Sequence, residues 1–231
     1  MINLSIIIPA YNEENSIIKI LEKVADVEIE GIKREVIVID DCSTDETLNL
    51  LEKNNNLYDV LIKLPKNRGK GEAVKKGLMQ ASGNYVLFQD EDLEYDPKDY
   101  KKLLEPVLLF DADLVIGSRL LASQLTRVYY FWHKVGNKFI TFLFNVMNNT
   151  TFTDIYSCYL LFRRNSIDPM KLSKTGWEQQ AEILSEVVSK NRSFYEVPVN
   201  YYGRTYEEGK KIRARHAIAV LLTIISKRLF G

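Results

Sequence analysis

The feature that most restricts what this chain can fold into is a regular alternation of short β-rich apolar runs with stretches of helical spacing. The runs Leu4–Ile8, Val36–Ile39, Asp59–Leu64, Tyr85–Phe88 and Leu114–Ile116 are rich in Ile, Val and Leu and have the length of buried strands. Between them, residues 14–26, 44–54, 71–82 and 98–110 carry helical periodicity, with Ser43 or Thr44 before Glu46 and Pro97 as N-terminal signals. Strand, helix and strand in succession make βαβ units, which feed a parallel sheet. The expectation is an α/β fold: a mostly parallel central sheet with helices on both faces.

The second half changes character. Thr126–Asn149 reads as a long aromatic-rich helix, followed by a strand near 159–162, a helix near 178–190 and a strand near 194–197. A polar, basic loop over Tyr202–Arg215 and a closing apolar helix complete the chain. With 231 residues, one large domain is expected, with residues 1–119 and 120–231 as its two halves.

Lys plus Arg and Asp plus Glu both number 31, so no global basic field argues for a nucleic-acid partner. Two cysteines, Cys42 and Cys158, lack metal-ligand or redox spacing and fit small buried residues of a reduced, cytoplasmic protein. The histidines His133 and His216 are too far apart in sequence to propose as a metal pair. No signal peptide is evident, and the apolar stretches 139–147 and 217–225 fall short of the roughly 20 residues that span a bilayer.

In open α/β sheets ligands bind beyond the carboxyl ends of the strands, and here polar residues follow each strand. Pro9-Ala10-Tyr11-Asn12-Glu13-Glu14 follows the first, Asp40-Asp41-Cys42-Ser43 the second, Asp90-Glu91-Asp92-Leu93-Glu94 the fourth, and Gly117-Ser118-Arg119 the fifth. Taken singly, each is also what a turn or helix cap would carry. Asp90, Asp92 and Glu94 together crowd negative charge that a cation would relieve. Hard oxygen ligands suit Mg²⁺ or Mn²⁺, and a diphosphate would bring further oxygens to the same ion.

Lys66-Asn67-Arg68-Gly69-Lys70-Gly71 precedes a helix, so its free N–H groups and basic side chains could face an anion. It also approximates a dinucleotide fingerprint, with Asp90 lying 19 residues after Gly71. Against that, Val74 replaces the third small residue and the motif follows the third strand. P-loop and serine-hydrolase motifs are absent.

The runs Ile6–Glu14, Ile39–Thr47, Asn67–Gly71 and Gln89–Pro97 together resemble the successive motifs of family 2 glycosyltransferases, in particular the dolichol-phosphate mannosyltransferase-like subgroup. Gly117–Arg119, Thr153-Asp154, Cys158-Tyr159, Phe162–Arg164 and Tyr201–Ile212 extend the resemblance over nearly the whole chain. It implies a GT-A fold and inverting transfer of a sugar from a nucleotide-diphosphate donor, GDP-mannose or a UDP-hexose, with Mg²⁺ or Mn²⁺. It also implies that Pro9, Tyr11, Glu13, Asp40, Asp41, Asp90 and Glu91 surround the donor nucleotide. Asp90 and Asp92 form a D-x-D motif with Glu94 as a further metal ligand, and Asp92 and Arg119 are the residues expected to carry catalysis. Arg119, Arg204 and Lys211 gather around donor and acceptor phosphates. Three departures are Glu91, where Ala is common; the loosely matching Gly176–Glu182; and the basic Arg213-Ala214-Arg215-His216.

A polyprenyl-phosphate acceptor needs no catalytic base, because a phosphate monoester's second pKa is about 6 and its oxygen is already anionic near neutral pH. A sugar-hydroxyl acceptor does need one, and Asp154 or Glu182 is then the candidate. A third reading keeps nucleotide-sugar binding without catalysis, as a partner subunit. Val128, Phe131, Val135, Phe139, Phe142 and Val146 make one helical stripe, which either packs into the core or meets a membrane surface. Tyr129, Tyr130, Trp132, Lys134 and Lys138 favour the membrane, with the closing helix and Lys227-Arg228 as a second contact on its inner face. The oligomeric state is not read from the sequence.

Overall fold

The computed structural model describes residues 2–121, 131–204 and 216–230. Lys211, Val128, Tyr129 and Tyr130 therefore lie outside the described residues. Among the described residues seven strands form one sheet: β1 (Ile2–Ala10), β2 (Ile32–Asp40), β3 (Val60–Lys63), β4 (Tyr85–Phe88), β5 (Leu114–Ser118), β6 (Leu160–Arg163) and β7 (Phe194–Pro198). Their order across the sheet is β3-β2-β1-β4-β6-β5-β7. Only β6 runs antiparallel to its neighbours, β4 and β5, and the other pairings are parallel.

Leu4 to Ala10 are buried without alternation, so both faces of β1 are covered and its unbroken apolar run is explained. The helices are α1 (Ile17–Ala25), α2 (Thr47–Lys53), α3 (Lys70–Gln80), α4 (Tyr100–Phe110), α5 (Phe131–Asn148), α6 (Gln179–Lys190) and α7 (His216–Phe230). In α1 the positions Ile17, Ile20, Leu21 and Val24 face inward, which is the i, i+3, i+4, i+7 pattern of an amphipathic helix.

The capping residues before α2 do something other than the sequence suggests. Ser43 Oγ accepts from the backbone N–H of Asn12 at 3.1 Å, and Thr44 N donates to Asn12 Oδ1 at 2.8 Å. The start of α2 is met instead by Asp45, whose Oδ1 accepts from Thr47 N at 3.0 Å. Ser43 and Thr44 thus tie the loops after β1 and β2 together. Pro97 does mark a helical start, with Asp96 Oδ1 accepting from Lys98 N at 3.1 Å.

The stripe expected on the long helix faces outward. In α5 the buried residues are Ile140, Thr141 and Phe144, whereas Phe131, Val135, Phe139, Phe142 and Val146 are all exposed. Helix α7 packs against α5 and α6 and leaves Ile218, Leu222 and Leu229 exposed. No described helix is long and apolar enough to cross a membrane.

Candidate active site at the carboxyl edge of the sheet

The strand order places a topological switch between β1 and β4, where parallel α/β sheets open a crevice beyond their carboxyl ends. Ala10 lies opposite Asp40 in the register of β1 and β2. The motifs after β1, β2 and β4 therefore converge.

Pro9 is buried in β1, Tyr11 is half-buried just beyond it, and Asn12 turns the chain with a φ of 53°. That turn sends Glu13 back into the protein, where its side chain is 6% exposed. Glu13 Oε2 accepts from Ser16 Oγ at 2.7 Å, and its backbone N donates to Thr47 Oγ1 at 2.9 Å. Asp40 is 1% exposed. Its Oδ2 accepts from Ser43 N at 3.2 Å, while Oδ1 is buried without a hydrogen-bond partner. An unmet carboxylate oxygen of this kind is costly and fits an N–H donor brought by a ligand. Asp41 accepts from the backbone N–H groups of Arg68 and Gly69 at 2.9 and 2.8 Å. Burial raises its pKa against those two bonds, with Asp40 and Glu72 adding to the rise.

The glycine loop before α3 departs from the expectation. Arg68 N and Gly69 N are taken by Asp41, and Gly71 N donates to Thr175 O at 2.8 Å. A Cβ on Gly71 would meet the backbone of Thr175 at 2.5 Å. Those three N–H groups are thus spent inside the protein, and Gly71 is needed for close approach of residue 175 from the second half. Lys70 Nζ pairs with Asp90 Oδ1 and lies 5.3 Å from the ring centroid of Trp177. Burial opposes its charge, but Asp90, with Glu91 beyond it, holds the ammonium above its usual range.

The turn carrying Asp90, Glu91 and Asp92 is anchored by the buried Gln89. Its Oε1 accepts from Tyr100 OH at 2.7 Å and Tyr159 OH at 2.8 Å, and its Nε2 donates to Asp90 O at 2.8 Å. Glu91 is half-buried on this turn. Burial first, then the charges of Asp90 and Glu94, push the Asp92 carboxyl up to about 7 against the pull of Arg204. Glu94 is held on both oxygens, Oε2 by Tyr201 OH at 2.7 Å and Oε1 by the backbone N of Arg204 at 2.6 Å.

Arg204 enters this acidic ground directly. Its NH2 lies 3.1 Å from Glu13 Oε1 and 3.2 Å from Asp92 Oδ2, and its Nε is buried without an acceptor. Among the described residues no three His, Cys, Asp or Glu side chains already form a metal-binding set. Instead, Lys70 sits on Asp90 and Arg204 on Asp92. Crowded carboxylates neutralised by protein cations fit the donor chemistry of a hard divalent ion, and Asp90 and Asp92 are the residues that could hold one.

The residues expected on the acceptor side are paired with one another. Arg119 follows β5 and grips the fully buried Asp154 with two parallel bonds, Nε to Oδ2 at 2.7 Å and NH2 to Oδ1 at 2.8 Å. The guanidinium of Arg119 also lies 5.1 Å from the ring centroid of Tyr201. Glu182, fully buried in α6, accepts from Ser173 N, Lys174 N and Lys227 Nζ at 3.1, 3.0 and 3.1 Å. Burial would raise its pKa, but the two N–H groups and Lys227 hold it below the ordinary glutamate value. Lys227, expected at a membrane, is thus turned inward. Lys70, one of the basic side chains expected to face an anion, is held on Asp90. Gln89, Trp177 and Tyr201 fall inside the quoted runs, but nothing in the sequence assigns them a role of their own.

The profile described as Glycosyl transferase family 2 matches residues 5–170. Among curated proteins, a low-salt glycan biosynthesis hexosyltransferase, Agl6, of Haloferax volcanii is 32% identical over 88% of this chain and 49% of its own length. A dolichol-phosphate mannosyltransferase of Pyrococcus furiosus is 27% identical over 89% of this chain and 58% of its own. The chain thus spans about half the length of these relatives. A solved glucosyl-3-phosphoglycerate synthase of Mycobacterium tuberculosis, in complex with Mn²⁺, UDP and phosphoglyceric acid, superposes with a TM-score of 0.73. It is 19% identical and matches over 100% of this chain and 80% of its own, a likeness of fold. With its motifs gathered at one edge of such a sheet and the family profile covering well over half its length, the chain belongs to glycosyl transferase family 2.

Proposed function

We propose that this protein transfers a hexose, with inversion, from a nucleotide-diphosphate sugar to a polyprenyl phosphate at a membrane surface, with Mg²⁺ or Mn²⁺. The donor is GDP-mannose or a UDP-hexose. The observation that carries the choice of acceptor is the state of Asp154 and Glu182, the two carboxylates that a hydroxyl acceptor would call on as a base. Asp154 and Glu182 are each fully buried and held in ion pairs, by Arg119 and Lys227. A general base must reach the proton it abstracts. An acceptor that arrives already ionised needs none.

In this reading Glu13, Asp40 and Asp41 line the nucleoside end, and the orphan oxygen of Asp40 accepts from the base. Asp90 and Asp92 hold the metal ion, which when bound neutralises charge on the departing diphosphate. Arg204, with an unspent buried N–H, and Lys211 add cationic stabilisation of phosphate. Arg119 reaches the acceptor phosphate only by sharing its guanidinium with Asp154. A phosphate oxygen of the acceptor forms the new bond to the anomeric carbon as the bond from that carbon to the diphosphate oxygen breaks. The electron pair leaves with the nucleoside diphosphate, so the protein's task is alignment and charge stabilisation.

The outward apolar faces of α5 and α7 support the membrane location. Trp132 is 76% exposed and Phe139 58% exposed, and Lys134 and Lys138 are exposed on the same helix. Such a face suits the headgroup boundary. A pH profile tests the absence of a base: transfer to a polyprenyl phosphate should rise with the acceptor's ionisation near pH 6 and then stay level. Asp154→Asn and Glu182→Gln should keep that shape. A profile that shifts or collapses in either variant would point to a protein base and a hydroxyl acceptor.

A further inference from the structure

We infer that Tyr201 is a positioning residue of the donor site, which through Glu94 holds the Arg204 guanidinium on the carboxylates of Glu13 and Asp92. The inference rests on the donor-site reading above.

The ring of Tyr201 is fixed from several directions. The Arg119 guanidinium lies 5.1 Å from its centroid, and the Tyr95 ring packs 5.0 Å away. Residues 95 and 201 are also joined by an antiparallel bridge, and Tyr202 N donates to Glu94 O at 2.8 Å. Arg119 is itself immobilised by the bidentate pair to Asp154. A stack of this kind leaves the phenol one orientation, with its hydroxyl 2.7 Å from Glu94 Oε2.

The chain then wraps around the ring it has just placed. A Cβ on Gly203 would meet the Tyr201 ring at 2.6 Å, so only glycine lets the backbone pass this closely. The turn brings Arg204 N to 2.6 Å from Glu94 Oε1, so one carboxylate clamps the tyrosine hydroxyl and the arginine backbone together. Glu94 N in turn donates to Asp92 Oδ1 at 3.1 Å. Held this way, the guanidinium of Arg204 reaches Glu13 and Asp92 and leaves its Nε–H buried without an acceptor. Two of the three carboxylates expected around a metal thus have different jobs: Asp92 faces the cation, whereas Glu94 is a strut. Because Arg204 neutralises Asp92, it competes with a metal ion until a diphosphate gives the guanidinium another anion to meet.

The test is Mn²⁺ binding without nucleotide, followed by electron paramagnetic resonance. Arg204→Gln should raise Mn²⁺ affinity roughly tenfold by removing a competing charge close to Asp92. Tyr201→Phe deletes only the hydroxyl and should raise it roughly threefold by loosening the clamp. In the Arg204→Gln background, Tyr201→Phe should add nothing, since it acts through Arg204. Gly203→Ala, which disturbs the same turn from the other side, should shift affinity in the same direction. A merely structural tyrosine would lower thermal stability and leave Mn²⁺ affinity unchanged or weaker. The inference is overturned if Arg204→Gln raises affinity and Tyr201→Phe does not, or if the two effects add. Absence of Mn²⁺ binding in every variant would instead remove the metal reading itself, and the inference with it.

Discussion

Two regions of this molecule spend their charged residues differently. At the carboxyl ends of β1, β2 and β4, charges are left incompletely answered: Asp40 Oδ1 and Arg204 Nε are buried without partners, and Asp92 is pushed up to about 7 by burial and its acidic neighbours. Around β5 and α6 the charges close on each other, Arg119 with Asp154 and Lys227 with Glu182. What this second region leaves open, on the neighbouring α5 and α7, is apolar. In the proposed reading the unanswered charge takes the polar donor and the unanswered apolar surface takes a lipid.

The largest effect should come from the first of these regions. Asp92→Asn is expected to lower transfer by about 10²–10³-fold, the scale of losing one electrostatic stabiliser, with little loss of thermal stability. Kinetics paired with a melting curve checks both halves of that statement. Near-normal turnover would mean that the unanswered charge at the sheet edge has no catalytic meaning.

The apolar region is tested by Phe139→Asp and Trp132→Ala, each of which alters an exposed side chain. Co-sedimentation with anionic liposomes at low salt should fall roughly tenfold for Phe139→Asp, the order expected when a charge replaces a buried apolar group, and less for Trp132→Ala. Equal sedimentation of wild type and both variants would detach the surface from any lipid role.

A smaller effect, on stability alone, should follow in the closed region. The pKa of Glu182 is lowered in the fold, so its ion pair contributes stability that is present above the unfolded value near 4.5 and lost as pH falls through the folded value. Glu182→Gln should cost about 1–3 kcal/mol at neutral pH and flatten the acid limb of a denaturant-midpoint series. An unchanged acid limb would show that Lys227 and Glu182 are not coupled in solution.

The sequence made the donor side legible because a strand followed by Asp, Asn or Glu is read locally: Asp40 and Asp90 lie where the end of a β-strand puts them. It was poorer wherever the partner is remote in sequence. Nothing in Arg68-Gly69-Lys70-Gly71 announces that Asp41 and Thr175 consume three of its N–H groups. The same holds for Arg119, whose partner Asp154 stands 35 residues away. The stripe on α5 had the period of a core-facing helix, and periodicity alone does not tell which face meets the sheet. The buried set Ile140, Thr141 and Phe144 decides it.

The most direct test of the account offers the enzyme two acceptors that differ only in the phosphate. Wild-type protein with Mn²⁺ and labelled GDP-mannose or UDP-glucose is given a short polyprenyl phosphate, or the matching polyprenol, in mixed micelles. The account predicts labelled lipid from the phosphate with one of the donors, none from the alcohol, and a product of inverted anomeric configuration. Label on the polyprenol, or on a free sugar hydroxyl while the phosphate stays unlabelled, would contradict it.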